Sequence, residues 1–266
     1  MSLPPEVVDV CSSWLGLVDD VAPGLVVGLH VRGGLGFDEF VPGVSDVDMV
    51  AVLARRPSDD DLTALEESHA LLADSTAGAP LDGFHVYAED LALDPDDCPD
   101  LPCILHGWFD PAGRFDVTPV GWHELALHSV PVRGELPPVW TDAARLRAFT
   151  RDCLTGEWAG IAASLEKFPA ESSTDDATWH VLGAARMHHL LVTGEQSAKS
   201  QAGRWALATM DERWHPVLRD ALRLRGASAE DRALPPSYAD PAERGRDVAA
   251  FVAHVVASAA CAPDLG

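Results

Sequence analysis

Asp46 and Asp48 stand one residue apart at the head of an apolar run, Met49-Val50-Ala51-Val52-Leu53. About a dozen residues upstream, the pair Gly33-Gly34 closes another such run, Leu25-Val26-Val27-Gly28-Leu29-His30-Val31. Both runs read as buried strands. Side chains alternate faces along a strand, so the two carboxylates are expected on one face, one pleat apart. Such a pair suits a hard divalent cation, and Mg²⁺ shares its oxygen ligands readily with phosphate. Glycines at the facing turn would let a phosphate chain approach the backbone. Taken alone, Ser45-Asp46-Val47-Asp48 reads more readily as a polar strand start behind the Pro42-Gly43 turn. The glycine pair between two apolar strands favours the metal reading.

Phosphate-transfer chemistry on a hydroxyl also needs a base. Asp82 opens a third apolar run, Leu81 to Tyr87, where its carboxylate would reach the same sheet edge as Asp46 and Asp48. It is also compatible with a plain Pro-Leu-Asp-Gly turn. Asp116 is the competitor, in a stretch Arg114 to Val120 that reads as a fourth, edge-type strand ended by Pro119. Other signatures fail. His123 and His128 flank a zinc-protease-like helix but are five residues apart, so they diverge by about 140° instead of about 40°. His188 and His189 are adjacent and cannot share a face. Walker A, Gly-x-Ser-x-Gly and dinucleotide fingerprints are absent.

The elements that must position these groups follow from periodicity. Pro5 to Val18 predicts an opening helix, and Pro57-Ser58-Asp59 starts another that runs to about Asp74. An acidic, proline-marked loop spans Asp94 to Asp100, and a short helix is predicted from Trp122 to His128. Pro131 to Trp140 reads as a linker, after which the pattern is helical at about 142–167, 175–193, 199–209, 212–225 and 241–260. The expectation is an α+β chain with a mixed-sheet domain over residues 1–140, an all-helical domain over 141–266 and a cleft between them.

The glycine pair, the spacing and Asp-x-Asp resemble the polymerase-beta-like nucleotidyltransferases. The phrase from Asp38 to Asp48 is more specifically similar to the aminoglycoside adenylyltransferases that act on streptomycin and spectinomycin. That resemblance implies a Mg²⁺-dependent, resistance-type enzyme that moves AMP from ATP to an antibiotic hydroxyl. Asp46 and Asp48 would hold metal, Gly33 and Gly34 would admit the triphosphate, and Asp82 would stand where the family has a Glu base. Arg186, and Lys199 in Ser197-Ala198-Lys199-Ser200-Gln201-Ala202-Gly203-Arg204-Trp205, match the positions that clamp the phosphates, and His215-Pro216-Val217-Leu218 matches further on. Asp176 falls at an acidic acceptor position, and Trp108 offers a ring for stacking on a ligand or for filling a core. The chain departs from the pattern at Gly34, where the family carries Ser, at Arg225, where it has Tyr, and in lacking the Trp associated with streptomycin. A protein-modifying adenylyltransferase of toxin–antitoxin type and a non-catalytic nucleotide-binding module are the alternatives.

Composition bounds the partners. The net charge of −23 and pI near 4.6 argue against a nucleic-acid backbone and suit a cationic acceptor, or simply keep the chain soluble. Five cysteines without a Cys-x-x-Cys suggest a reducing compartment. The N-terminus has no signal-peptide pattern and no run would span a membrane, so a cytoplasmic location is expected.

Overall fold

The structure, a computed structural model, describes residues 3–75, 80–168 and 174–261. It divides into two compact units, Met1–Asp142 and Ala143–Gly266.

In the first unit the order is α1 (Pro5–Val21), β1 (Val26–Val31), a 3₁₀ turn (Gly33–Phe37), β2 (Val47–Leu53), α2 (Asp59–Ser75) and β3 (Leu81–Tyr87). A hairpin of β4 (Leu101–Leu105) and β5 (Trp108–Gly113) follows, then α3 (Pro119–His128) and β6 (Val130–Arg133). The six strands form one mixed sheet ordered β5-β4-β3-β2-β1-β6, in which only β2 and β3 run parallel.

Alternation along β2 sorts the sheet into two faces. Val47, Met49, Ala51 and Leu53 pack with Trp14, Leu15 and Leu65 of α1 and α2, whereas Val50 and Val52 pack with Phe84, Val86 and Trp122 of β3 and α3. Burying a side chain such as Leu29 or Leu65 completely contributes about 1.5–3 kcal/mol before entropy is counted. The even positions share the second face, so Asp48 and Asp82 are placed on it with Val50 and Phe84.

The helix face also holds a buried histidine pair. His69 Nε2 lies 3.1 Å from His85 Nε2, and His85 Nδ1 lies 3.0 Å from the carbonyl of Pro102. The carbonyl can only accept, so His85 carries its proton on Nδ1 and receives a hydrogen bond from His69. Burial holds both rings neutral, with His85 pushed down to about 4. Trp14 stacks on His69 at 5.0 Å.

Two expectations are corrected here. Arg114 to Val120 is not a strand: Thr118 caps α3 by accepting from the backbone N–H of Gly121 at 3.1 Å, and Pro119 occupies the first turn, where its missing N–H costs nothing. Thr-Pro is therefore a helix start. The linker from Pro131 begins as β6, paired to β1. The acidic loop is tied internally, with Arg114 donating to the carbonyls of Pro95 and Cys98 and to Asp100.

The second unit is helical: α4 (Ala143–Thr155), α5 (Glu157–Lys167), α6 (Thr174–Thr193), α7 (Lys199–Thr209), α8 (His215–Arg225), α9 (Ala229–Arg232) and α10 (Pro241–Cys261). Gly156 splits the predicted 142–167 helix in two. Ala184, Ala185, Leu182, Leu218, Phe251 and Val255 belong to its core. Gly183 sits under the Trp158 ring, where a β-carbon would come within 2.9 Å.

Candidate active site

The site is built on the strand ends of the second sheet face. Parallel pairing of β2 with β3 sets Asp48 directly opposite Asp82, and Asp46 lies just before β2, exposed. Asp82 is only 2% exposed. Its Oδ1 accepts a 2.9 Å hydrogen bond from the backbone N–H of His106, in the two-residue turn between β4 and β5. His106 and Gly107 have φ of +50° and +78°, as a tight hairpin with native twist requires. Burial raises the Asp82 pKa and the charge of Asp46 adds to it, while the His106 hydrogen bond works the other way. Ligand-type atoms of Asp46, Asp82 and His106 all lie within 4.8 Å of one another. Trp108 opens β5 beside this turn and is 76% exposed, so it is not a core filler.

Asp48 has different neighbours. Arg32, 3% exposed, donates from Nη1 to Glu124 at 3.0 Å and from Nη2 to Asp116. Its own backbone N–H donates to the Asp48 carbonyl at 2.9 Å. Burial pushes the Asp48 carboxyl up to about 7; Arg32 opposes the rise, and Asp116, Glu124 and Asp46 add to it. For Arg32, burial acts to lower the pKa, but the charges of Asp116, Asp48 and Glu124 outweigh it and the net shift is upward. Crowded like charges of this kind are what a bound divalent cation would relieve. The oxygen-only donors of Asp46 and Asp48 fit Mg²⁺.

The glycine turn packs against these carboxylates. Gly33 has φ +61°, and a β-carbon there would come within 2.0 Å of Asp48 Oδ2. At Gly34 it would meet the Glu39 carbonyl at 2.4 Å, so this backbone leaves no room for a side chain such as Ser. Gly33→Ala combines a left-handed backbone with that clash. It should destabilise the first unit by about 1–3 kcal/mol in urea unfolding. An unchanged midpoint would show that the turn and Asp48 do not need a glycine there.

In the second unit, Arg186 lies in α6 and Lys199 is the first residue of α7, both half-buried on neighbouring helices. Asp176 is in the first turn of α6 by its backbone, and its side chain lies outside the described residues.

Residues 157–257 match the family model of the aminoglycoside adenylyltransferase C-terminal domain. Over that stretch the chain is aminoglycoside adenylyltransferase-like. The fold agrees with that of spectinomycin adenyltransferase AAD(9) from Enterococcus faecialis, solved with ATP and spectinomycin. The TM-score is 0.62 over 94% of this chain and 98% of that chain, at 12% identity. No curated protein sequence matches the chain. The mixed sheet and helical region of this adenylyltransferase-like chain agree with the sequence expectation.

Three residues at the site escaped the sequence reading. His106 was legible in principle: His-Gly between two short apolar runs is a two-residue hairpin signal. Arg32, ending an apolar strand, hinted at a buried charge that needs partners. Glu124 sits inside the rejected zinc-protease-like helix, where it faces Arg32 instead.

Proposed function

We propose that this chain transfers AMP from ATP to a hydroxyl of an aminoglycoside or aminocyclitol, with Mg²⁺ as cofactor. The observation that carries the reading is the strand-end group of Asp46, Asp48 and Asp82 against the Gly33 turn, in a chain whose second unit matches the adenylyltransferase C-terminal model. Asp46 and Asp48 hold the cation, which when bound neutralises charge developing on the phosphates. Gly33 and Gly34 let the triphosphate lie against the backbone, and Arg186 and Lys199 hold its oxygens. Asp82 takes the proton of the acceptor hydroxyl, a task that suits a carboxylate whose pKa is raised by burial. Trp108 stacks on the acceptor, and Asp176 pairs with one of its ammonium groups.

The acceptor assignment draws support from the AAD(9) structure, which contains ATP and spectinomycin. With the streptomycin-associated Trp missing, spectinomycin-like aminocyclitols are expected to be better acceptors than streptomycin. Pyrophosphate release measured with Mg-ATP across a panel of aminoglycosides tests this. Turnover with an aminocyclitol, with a KM that rises with salt, is the expected result. AMP labelling of a protein substrate without turnover on any cationic antibiotic would overturn it.

A further inference from the structure

Asp46, Asp82 and His106 make a donor set different from the Asp46–Asp48 pair, because it includes a nitrogen. Asp82 is nine-tenths buried and its Oδ1 is already used by the His106 N–H, whereas Oδ2 takes no hydrogen bond from any described residue. That oxygen lies 4.0 Å from His106 Nε2, too far for a hydrogen bond. Two ligands on one tetrahedral ion, each about 2.1 Å from it, lie about 3.4 Å apart. The three ligand atoms lie within 4.8 Å of one another, so closing the set calls for movements of up to about 1.4 Å, which the exposed Asp46 side chain and the 75% exposed imidazole can make without disturbing the core. Two carboxylates, one imidazole and a water complete a four-coordinate zinc-type shell, and imidazole favours such borderline ions over Mg²⁺.

We propose that Asp46, Asp82 and His106 form a transition-metal site of the zinc class, and that filling it inhibits transfer. The inhibitory half rests on the reading of Asp82 as base: an ion on Oδ2 occupies the carboxylate that must accept the hydroxyl proton. It also competes with Mg²⁺ for Asp46. Trace zinc would thus switch off an enzyme that magnesium supports.

Co²⁺ is the probe, since zinc has no visible spectrum. The wild-type chain should develop the visible ligand-field bands of four-coordinate Co²⁺, and Zn²⁺ should abolish them by displacement. His106→Ala should not develop them. Neither should His106→Asn, which keeps a residue tolerant of the turn's positive φ. Affinity in both variants should fall by at least about tenfold, since loss of an outer-shell partner alone costs that much. In the second arm, Zn²⁺ should inhibit Mg-supported pyrophosphate release, and its potency, relative to each protein's own rate, should fall by a similar factor in the variants. Absence of the bands in wild type, or unchanged affinity in His106→Asn, would overturn the site. Bands without inhibition of an active enzyme would overturn the inhibitory half. Absence of turnover with every acceptor would bring down the transferase reading and the inhibition with it, while the metal site would still stand or fall on the absorption.

Discussion

Asp82→Asn is expected to lower transfer by about two to four orders of magnitude, the usual contribution of a general base, while Mg-ATP still binds. Asparagine keeps the side-chain oxygen that accepts from the His106 backbone, so the β4–β5 turn should stay in place. What disappears is a carboxylate that burial has made more basic than an ordinary aspartate. Asp116→Asn should reduce the same rate by less than about tenfold. Its carboxylate already serves Arg32, and it sits in the turn before α3 instead of at a strand end. Single-turnover pyrophosphate release with saturating acceptor, alongside ATP affinity, reads the two variants apart. The reverse ranking would move the base to Asp116.

Legibility tracked the range of the interactions. β2 and β3, α2 and the common sheet edge of Asp48 and Asp82 follow from period-two alternation and a Ser58–Asp61 cap, all local signals. The β4–β5 hairpin was missed because Pro111 and Pro102 lie inside its strands, Pro111 in the edge strand β5 and Pro102 at the bulge between Leu101 and Cys103 of β4, the places where a strand tolerates proline. Pro119 misled in the opposite direction, since proline ends strands and begins helices alike, and the Thr before it decides which. Nothing local announces that Arg32 meets Asp116 and Glu124, residues 84 and 92 positions away. Only the sheet order, which lays β1 beside β2 under α3, brings those charges together. The sequence therefore made the metal-type carboxylates visible and left the cation that balances them hidden.

That hidden cation carries the largest stability effect expected. Arg32→Met should cost the first unit about 3–5 kcal/mol, because it leaves the Glu124 and Asp48 carboxylates without their counter-charge inside the protein. The pH dependence separates this from lost packing. With Arg32 present, the Asp48 carboxyl already titrates near 7, above its ordinary value of 3.8. Arg32 is what restrains that rise, so its removal lifts the value further. A carboxyl whose folded pKa exceeds its unfolded one contributes stability fully below the unfolded value and loses it as pH rises through the folded value. The deficit of the variant should therefore be small near pH ~4 and grow through about pH 7 and above. Urea unfolding at the two ends of that window measures it. Arg32→Met combined with Asp48→Asn and Glu124→Gln should recover most of the loss, since neutral partners need no internal cation. A deficit of the same size at both pH values, or one the triple variant fails to reduce, would show that Arg32 acts by filling space against Phe84 and not by balancing charge.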